Sequence, residues 1–462
     1  MAKFKQVSLM VKRYPQYLEV LRVCLPLVLS LSATTAMEFT DRVFLANYSI
    51  DAVSAALPAA SVSFLFLVFF GGVSGYAGVF IAQYTGRGDH DKIGSIFWQA
   101  MWFSLAASAF IIILGFYAED IFAATGHAAE VQRLECIYFT ILCHGSAFHL
   151  AMITFGTFFS GRGLTRPVML TTFAGVLINI PLDYAMIFGH FGLPEMGIAG
   201  AATATVLSWF INTLIFAKLT FTRRNNRSFA IVSAWHLHPQ RFLRLLRFGI
   251  PGALQFTIDV AVFTVFILLV GRISTDALAA TNIVFSVNAL SFMPAMGASQ
   301  GAGILVGQSL GKGRPERAVE LVRRSGELLF CYVLIVGIFF CFVPGLILSP
   351  FFLQGGGQSH EVYSIAIILM RIVTAFIFFD AFYMLFSGAL RGAGDTAFMM
   401  WAAVLMGISG MVLPVYVGIT WFHISVITAW LFVALFLACM CAIAYLRYRA
   451  GKWKTMLVIE SQ

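Results

Sequence analysis

Charged residues are scarce in this sequence. Only 11% of its 462 residues are Asp, Glu, Lys or Arg, whereas roughly 25% are charged in soluble domains. Hydrophobic residues make up 60%, and the mean hydropathy is +0.88. A soluble chain of this length divides into domains with polar surfaces, and no part of the sequence is polar enough to provide one. The sequence therefore predicts an all-α polytopic membrane protein.

Motifs that would indicate an enzyme or a bound cofactor are also lacking. The glycine turns GRGDHDK and GKGRPER do not follow the phosphate-loop pattern, in which G-x-x-x-x-G-K precedes Ser or Thr. The seven cysteines have no metal-ligand spacing, and no pattern of Ser, His and Asp suggests a catalytic triad. We therefore predict no enzymatic activity and no cofactor, so that any transport must draw its energy from an ion gradient.

Apolar segments long enough to span a bilayer recur along the whole chain. The basic N-terminus leads into the first of them without a small-residue cleavage site, which indicates a transmembrane helix and not a signal peptide. Because the number of segments is even, both termini lie on the same side of the membrane. The twelve predicted helices cover 17–46, 53–84, 94–117, 131–158, 168–189, 197–221, 243–271, 277–310, 319–347, 362–389, 397–419 and 425–446.

The distribution of Lys and Arg sets the orientation of these helices. All Lys and Arg residues except Arg42, Arg133, Arg272 and Arg371 lie at the termini or in and beside the even-numbered loops, as expected for the cytoplasmic side. The net charge of +9 is therefore a consequence of topology and does not indicate nucleic-acid binding. We predict a multi-pass protein of the bacterial inner (plasma) membrane with both termini in the cytoplasm.

The sequence contains an internal repeat. When the chain is aligned with itself, the matching pairs are Arg22 with Arg247, Pro26 with Pro251, QYTGRGD (83–89) with QSLGKGR (308–314) and, in a slightly longer register, GRGLT (161–165) with GAGDT (392–396). Two six-helix lobes related by a pseudo-two-fold axis along the membrane normal follow from this repeat, as in many secondary transporters. We predict an N-terminal lobe at 1–222, a cytoplasmic linker at 223–242 and a C-terminal lobe at 243–462. The two aligned prolines are either bend points or tolerated first-turn residues.

Two carboxylates lie within predicted helices of the C-terminal lobe. Asp259 interrupts FTIDVAVFTVFILLV in the seventh helix, and Asp380 interrupts FIFFDAFYM in the tenth. A charge at the bilayer centre costs roughly 3 kcal/mol or more, so such a residue usually faces a cavity or a partner. Two carboxylates in one bundle suit a Na⁺ site with oxygen ligands or a shared proton. The simpler alternative is a hydrogen bond from each acid to a neighbouring helix.

The N-terminal lobe has Thr and His at the positions that align with these two acids, and its own acids lie elsewhere. Asp41, late in the first helix, is a candidate for binding a cation or a proton. Glu38 is a secondary candidate, because it and Arg42 have the i, i+4 spacing of a local ion pair. His149 either titrates near neutral pH or is a hydrogen-bonded core histidine. Asp183, close to the end of the fifth helix, is assigned to the membrane interface.

These features resemble those of the multidrug and toxic compound extrusion (MATE) family, and most of all its NorM-type branch. The stretches that carry the resemblance are TDRVFLANYS (40–49), AQYTGRGD (82–89), SGRGLTRP (160–167), NIPLDYAMIFGHFGLPEMGIAG (179–200), FGIPGALQFTIDVAVFTVFILLV (248–270), VGQSLGKG (306–313) and SGALRGAGDT (387–396). Their order, spacing and duplication make the resemblance specific. It implies a twelve-helix antiporter with a V-shaped central cavity, which exports cationic amphipathic drugs and dyes in exchange for Na⁺ or H⁺.

The resemblance also implies roles for three acids. Asp41 matches the family's aspartate of helix 1, implicated in protonation of the N-terminal lobe and in substrate coupling. Asp380 matches the helix-10 aspartate of the NorM-type cation site. Asp259 stands where NorM-type members usually have Glu, and Phe376, one turn before Asp380, stands where some relatives have Tyr. We therefore expect Na⁺ at Asp259 and Asp380, with H⁺ coupling through Asp41 as the alternative.

The expected partners are small cationic amphipathic substrates and the lipid bilayer, and we expect a monomer. Two other functions stay open. A flippase for a lipid-linked oligosaccharide or another amphiphile would need basic groups in its cavity, whereas the intramembrane charges here are mainly acidic. A channel or receptor-like membrane protein would work without a gradient, but a two-lobe repeat builds no obvious pore.

Overall fold

A computed structural model describes residues 15–123, 127–352 and 360–460. Within these ranges the chain is almost entirely helical and contains no strand. Eleven helices are long and apolar enough to cross a membrane, and a pair bent by 45°, Ala129–His144 and Ser146–Ser160, brings the number to twelve if it counts as one span. The predicted all-α fold of twelve membrane-spanning segments is confirmed.

We number the α-helices in chain order. Those of the first half are α1 (Pro15–Tyr48), α2 (Ile50–Gly75), α3 (Ala77–Arg87), α4 (Asp91–Gly115), α5 (Ala118–Ala123), α6 (Ala129–His144), α7 (Ser146–Ser160), α8 (Thr165–Phe188), α9 (Ile198–Thr220) and α10 (Arg223–Phe229). Those of the second half are α11 (Pro239–Val270), α12 (Thr275–Gly311), α13 (Pro315–Phe342), α14 (Pro344–Phe352), α15 (His360–Ala393), α16 (Thr396–Met406), α17 (Leu413–Phe422) and α18 (Val426–Arg449). A π-helical turn, Gly407–Val412, joins α16 to α17.

The internal repeat is visible in how corresponding helices begin and end. Ser49 and Ser274, which the repeat aligns, each cap the following helix by accepting a hydrogen bond from the backbone N–H of the third residue after the serine. Gly88 and Gly313, which are aligned in the same register, follow α3 and α12 with φ angles of 89° and 66°. Glycine adopts this left-handed backbone at little cost, which explains why it stands at both positions.

The helices form two compact units. Unit 1 comprises the described residues up to Val28 together with Leu254–Leu457, and unit 2 comprises Leu29–Ala253 and the residues from Val458 onwards. Both α1 and α11 are therefore divided between the units. The lobe boundaries given above stay a prediction.

Each division lies two residues after a proline. Pro26 and Pro251 are both well inside their helices, which continue through them. The first-turn alternative for these prolines is therefore wrong. Because proline removes a backbone hydrogen bond from a helix interior, both positions are places where a helix bends more readily.

Small residues bring α12 and α15 close together in unit 1. A Cβ added at Gly388 would lie 2.3 Å from the Ser299 carbonyl oxygen, and one at Gly392 would lie 2.2 Å from that of Gly303. The Ser299 hydroxyl also donates to the Met384 carbonyl at 2.7 Å. Membrane helices pack through such small residues and polar contacts. This close packing positions α15, the helix that carries Asp380.

Candidate functional site

Asp259 lies at one end of a hydrogen-bond chain in unit 1. Gln255 and Asp259 are one turn apart on α11, so their side chains lie on the same face of the helix. The Tyr383 hydroxyl donates to Asp259 Oδ2 at 3.0 Å. Gln255 Nε2 lies 3.0 Å from the Tyr383 oxygen and 2.7 Å from Ser387 Oγ, with Gln255 as donor in both bonds. Since Gln255, Tyr383 and Ser387 are all buried, the chain fixes the orientation of the Asp259 carboxylate.

Asp380 lies one turn before Tyr383 on α15 and is only 8% exposed. Because Tyr383 also donates to Asp259, the structure brings the two acids that the sequence predicts as a cation site into the same part of unit 1, where their charges interact. Among the described residues, no hydrogen bond reaches the Asp380 carboxylate. Two neighbouring carboxylates repel each other when both are ionised, and a bound cation or a shared proton relieves that repulsion.

The donor set limits which cation fits this pair. No group of three or more His, Cys, Asp or Glu side chains that would hold a metal ion occurs in the described part of the chain. Carboxylate oxygens are hard ligands that suit hard cations. A Na⁺ ion at Asp259 and Asp380 would therefore take its other ligands from hydroxyl, amide or carbonyl oxygens, or from water.

Aromatic rings pack beside the two acids. Phe376, one turn before Asp380, is 2% exposed and meets Phe263 edge-on, with ring centroids 6.2 Å apart. Its centroid also lies 6.3 Å from that of the buried Trp430. Phe263 is itself one turn after Asp259 on α11. These apolar surroundings make an unpaired charge costly and therefore favour a counter-ion or a proton at the acids.

A second pair of acids lies in unit 2. Asp41 Oδ1 is buried without a hydrogen-bond partner in the described residues, and Oδ2 accepts only a long bond of 3.5 Å from the Tyr138 hydroxyl. The charge of Asp183, from α8, interacts with that of Asp41. Asp183 is 0% exposed, and neither of its carboxylate oxygens has a partner in the same part of the chain. Asn179, one turn earlier on α8, is also fully buried with an unpaired side-chain amide.

Asp183 is fully buried in protein, which its assignment to the membrane interface did not anticipate. That assignment used only its nearness to the end of the predicted helix, whereas burial depends on which face of the helix packs against protein. A usable signal was present: Gly175, Asn179 and Asp183 are spaced by four residues and so line one face of α8. All three are buried.

The secondary candidates are not hydrogen-bonded to either pair of acids in the described structure. Glu38 and Arg42 are exposed, and although both charges act on Asp41, no ion pair within 4 Å joins Glu38 to Arg42 in the described residues. His149, on α7, faces Trp209 with ring centroids 4.6 Å apart, and its Nδ1 atom is buried without a partner.

The model of the MatE family matches two segments of this chain, residues 26–185 and 251–416. The two segments start at Pro26 and Pro251, which the internal repeat aligns. They end at residues 185 and 416, which have the same separation along the chain as the aligned motifs GRGLT and GAGDT. One family unit is thus present twice, and the duplication predicted from the sequence is confirmed.

Curated relatives match along most of the chain. A probable multidrug resistance protein NorM of Thermotoga maritima is 28% identical, over 96% of this chain and 94% of its own. A protein of the same description from Bradyrhizobium diazoefficiens is 29% identical over 82% of both chains.

Solved structures share the fold at lower identity. A multidrug resistance MATE family transporter of the MOP superfamily, in an outward-facing conformation, superposes with a TM-score of 0.88 at 17% identity, over 96% of this chain and 97% of that one. A MOP superfamily transporter from Pyrococcus furiosus, whose binding pocket of reverse polarity suggests a different function, superposes with a TM-score of 0.87 at 18% identity and the same coverage. At such identities the superpositions establish the fold alone.

Proposed function

Because this chain belongs to the MatE family, and to its NorM-type branch, we propose that it is an antiporter that exports cationic amphipathic drugs and dyes in exchange for Na⁺ or H⁺. The relatives described as multidrug resistance proteins support drug export. The observation that carries cation coupling is the acid pair of unit 1, in which Asp259 is oriented by Tyr383 while Asp380 has no hydrogen-bond donor among the described residues.

In this proposal a cation enters between Asp259 and Asp380 and neutralises their mutual repulsion. Tyr383 keeps one oxygen of Asp259 occupied, so the remaining carboxylate oxygens face the cation. A cation that binds one conformation of the transporter more tightly than the other shifts the equilibrium towards the first. The ion gradient thereby drives alternating access, and the substrate leaves on the opposite side.

Proton coupling through unit 2 is the second candidate, and one observation favours it. Asp183 and Asp41 together have three buried carboxylate oxygens without partners in the described residues. Burying an ionised carboxylate without a partner is costly, and a proton removes that cost. If this pair couples transport, efflux follows the proton gradient and depends on Asp41.

The test is ethidium efflux from proteoliposomes under separately imposed Na⁺ and H⁺ gradients. We compare Asp259→Asn, Asp380→Asn and Asp41→Asn with the parent, and use Asp91→Asn, at an exposed position of α4, as the matched control. Efflux that follows Na⁺ and is lost in both unit 1 variants supports the first mechanism. Efflux that follows only the pH gradient and is lost in Asp41→Asn supports the second.

An absence of gradient-driven efflux for every cation tested, with the variants correctly inserted, would remove the drug-antiporter proposal. A flippase for an amphiphile would then be the function to examine. Asp91→Asn keeps parental efflux if loss of transport reflects the acids of the two pairs and not the mere removal of a negative charge.

A further inference from the structure

The segment that follows α10 is not a free loop. α10 ends at Phe229, and the next residue, Ala230, has a φ of 53° that turns the chain out of the helix. The side-chain oxygen of Asn226 then accepts a hydrogen bond from the Val232 N–H at 2.9 Å. A Cβ added at Gly94 of α4 would lie 2.4 Å from the Phe229 carbonyl oxygen. The backbone at the end of α10 is therefore packed directly on the first turn of α4.

Three side chains of α4 bind the backbone of residues 231–238. The hydrogen bonds run from Trp98 Nε1 to the Ile231 carbonyl (2.6 Å), from Trp102 Nε1 to the Trp235 carbonyl (2.9 Å), from Gln99 Nε2 to the His236 carbonyl (3.1 Å) and from the His238 N–H to Gln99 Oε1 (2.9 Å). The segment is thus attached along successive turns of a membrane-spanning helix.

The positions of the two tryptophans give the depth of this attachment. Trp98 and Trp102 follow Asp91, the first residue of α4, by about 10 and 16 Å along the helix axis at ~1.5 Å per residue. With its 25 residues, α4 is about 37 Å long and extends only about 4 Å beyond each side of a ~30 Å hydrocarbon core when centred in it. With α4 centred in this way, the segment around 231–236 lies below the level of the headgroups. Carbonyl groups at that depth need protein donors because water is absent, and the α4 side chains supply them.

The outer surface of the same region combines apolar and basic side chains. The exposed apolar residues are Val232, Trp235 and Leu237, with 51%, 52% and 56% of their surface accessible. The exposed basic residues are Arg223, Arg224 and Arg227 of α10. No Asp or Glu occurs anywhere from residue 221 to residue 238. This surface is complementary to an interface that is apolar below and negatively charged above.

We propose that residues 221–238 form an anchor in the cytoplasmic leaflet that selects anionic phospholipids. Val232, Trp235 and Leu237 insert among the acyl chains, where tryptophan is favoured at the membrane interface. The three arginines of α10 bind the phosphate groups of anionic lipids, as basic clusters beside membrane helices do. The inference goes beyond drug export and does not depend on which ion drives it, so either proposal can fail without the other.

Brominated lipids test the anchor, because bromine quenches tryptophan fluorescence only on contact. The protein is reconstituted in bilayers that contain brominated phosphatidylcholine or brominated phosphatidylglycerol. The fluorescence of Trp235 is obtained as the difference between the fluorescence of the parent and that of Trp235→Phe. We expect brominated phosphatidylglycerol to quench the Trp235 fluorescence at least about twofold more strongly than brominated phosphatidylcholine does, because the arginines concentrate anionic lipid at the site. Trp421, which is 72% exposed on α17, is the matched control and is quenched equally by both lipids.

Charge variants identify the headgroup contact. Replacing Arg223, Arg224 and Arg227 by Gln abolishes the preference for the anionic lipid, whereas replacing all three by Lys retains it. Replacing Lys312, Arg314 and Arg449 by Gln removes the same charge elsewhere and leaves the preference intact. Quenching of Trp235 by aqueous iodide and by neither lipid would overturn the anchor in favour of a water-exposed linker. Equal quenching by both lipids, unchanged in the Gln variant, would overturn the headgroup selectivity.

Discussion

Asp259 of unit 1 and Asp183 of unit 2 are both carboxylates within membrane-spanning helices, but only Asp259 has a hydrogen-bond donor in the described structure. Around Asp259, a buried chain of Tyr383, Gln255 and Ser387 continues the contact. Around Asp183, the neighbouring amide of Asn179 is itself unpaired. The Asp259 carboxylate is therefore oriented by its own helices, whereas the Asp183 carboxylate can still accept hydrogen bonds that the described residues do not supply.

The two pairs of acids do not occupy equivalent positions of the repeat. Asp380 aligns with His149, and Asp41 aligns with Phe266, which is buried among other aromatic rings of unit 1. Each half of the duplicated scaffold thus carries an acid pair at positions that the repeat does not align. In the proposed function, the pair that contains the oriented Asp259 holds a coordinated cation, and the unit 2 pair holds a proton.

The largest effect is expected from replacing Asp380 by its amide, with the same change at Asp183 of the second pair as the comparison. Asp380→Asn removes half of the charge that holds a cation, and loss of one partner from a buried charged contact costs about 2 kcal/mol or more, which exceeds tenfold in affinity. Na⁺-driven efflux from proteoliposomes should fall by at least that factor. Asp183→Asn should leave the Na⁺ response within about twofold, since the charge of Asp183 interacts with Asp41 of the second pair. The reverse result would assign Na⁺ to unit 2.

A second comparison uses stability in detergent. Asp259→Leu leaves the Tyr383 hydroxyl without its acceptor, and an unsatisfied buried donor costs about 1–3 kcal/mol, so the apparent melting temperature should fall. Asp183→Leu removes a carboxylate that has no partner to lose and should keep or raise the melting temperature. The measurement is a thermal-shift assay of both purified variants beside the parent. Equal losses would show that Asp183 has donors that the described residues do not provide.

Much of the fold is predictable because it depends on local properties of the chain. Hydropathy alone places the membrane-spanning segments, and repeated motifs reveal the duplication. The bend between α6 and α7 is different, because it depends on packing. It lies at Gly145, where an added Cβ would be 2.3 Å from a methyl group of Val206 on α9. No local pattern indicates that contact, so the sequence predicts a single helix there.

The candidate site is likewise only partly predictable from the sequence. The acids Asp259 and Asp380 are conspicuous in apolar helices, and a resemblance to a known family supports them. Their organisation is not visible in the sequence, because Tyr383 is 124 residues away from the carboxylate to which it donates. The burial of Asp183 was missed for a related reason: it depends on helix orientation and not on distance from a helix end.

A smaller effect is expected from removing the tyrosine hydroxyls, which tests the two hydrogen bonds directly. Tyr383→Phe removes a 3.0 Å hydrogen bond to Asp259. A typical hydrogen bond contributes about 0.5–1.5 kcal/mol, so we expect the cation affinity to fall roughly two- to tenfold. Tyr138→Phe removes only a 3.5 Å contact to Asp41 and should change transport by less than about twofold, since bonds of that length are weak. The concentration of Na⁺ that gives half-maximal efflux is the readout. A larger effect at Tyr138 would mean that its hydroxyl moves closer to Asp41 during transport.

The smallest effect is expected at Glu38, one turn before Asp41 on α1. Its side chain is exposed and has no hydrogen bond or ion pair among the described residues, although its charge acts on Asp41. Exposed charges are screened within about 8 Å at physiological salt, so Glu38→Gln should shift the pH profile of efflux far less than Asp41→Asn does. The two variants are compared at fixed Na⁺ gradient over a range of pH, at low and at physiological salt. A shift in Glu38→Gln that equals that of Asp41→Asn and persists at higher salt would add Glu38 to Asp41 and Asp183 as a third functional acid of unit 2. The contrast with unit 1 would then lie in the number of acids as well as in their bonding.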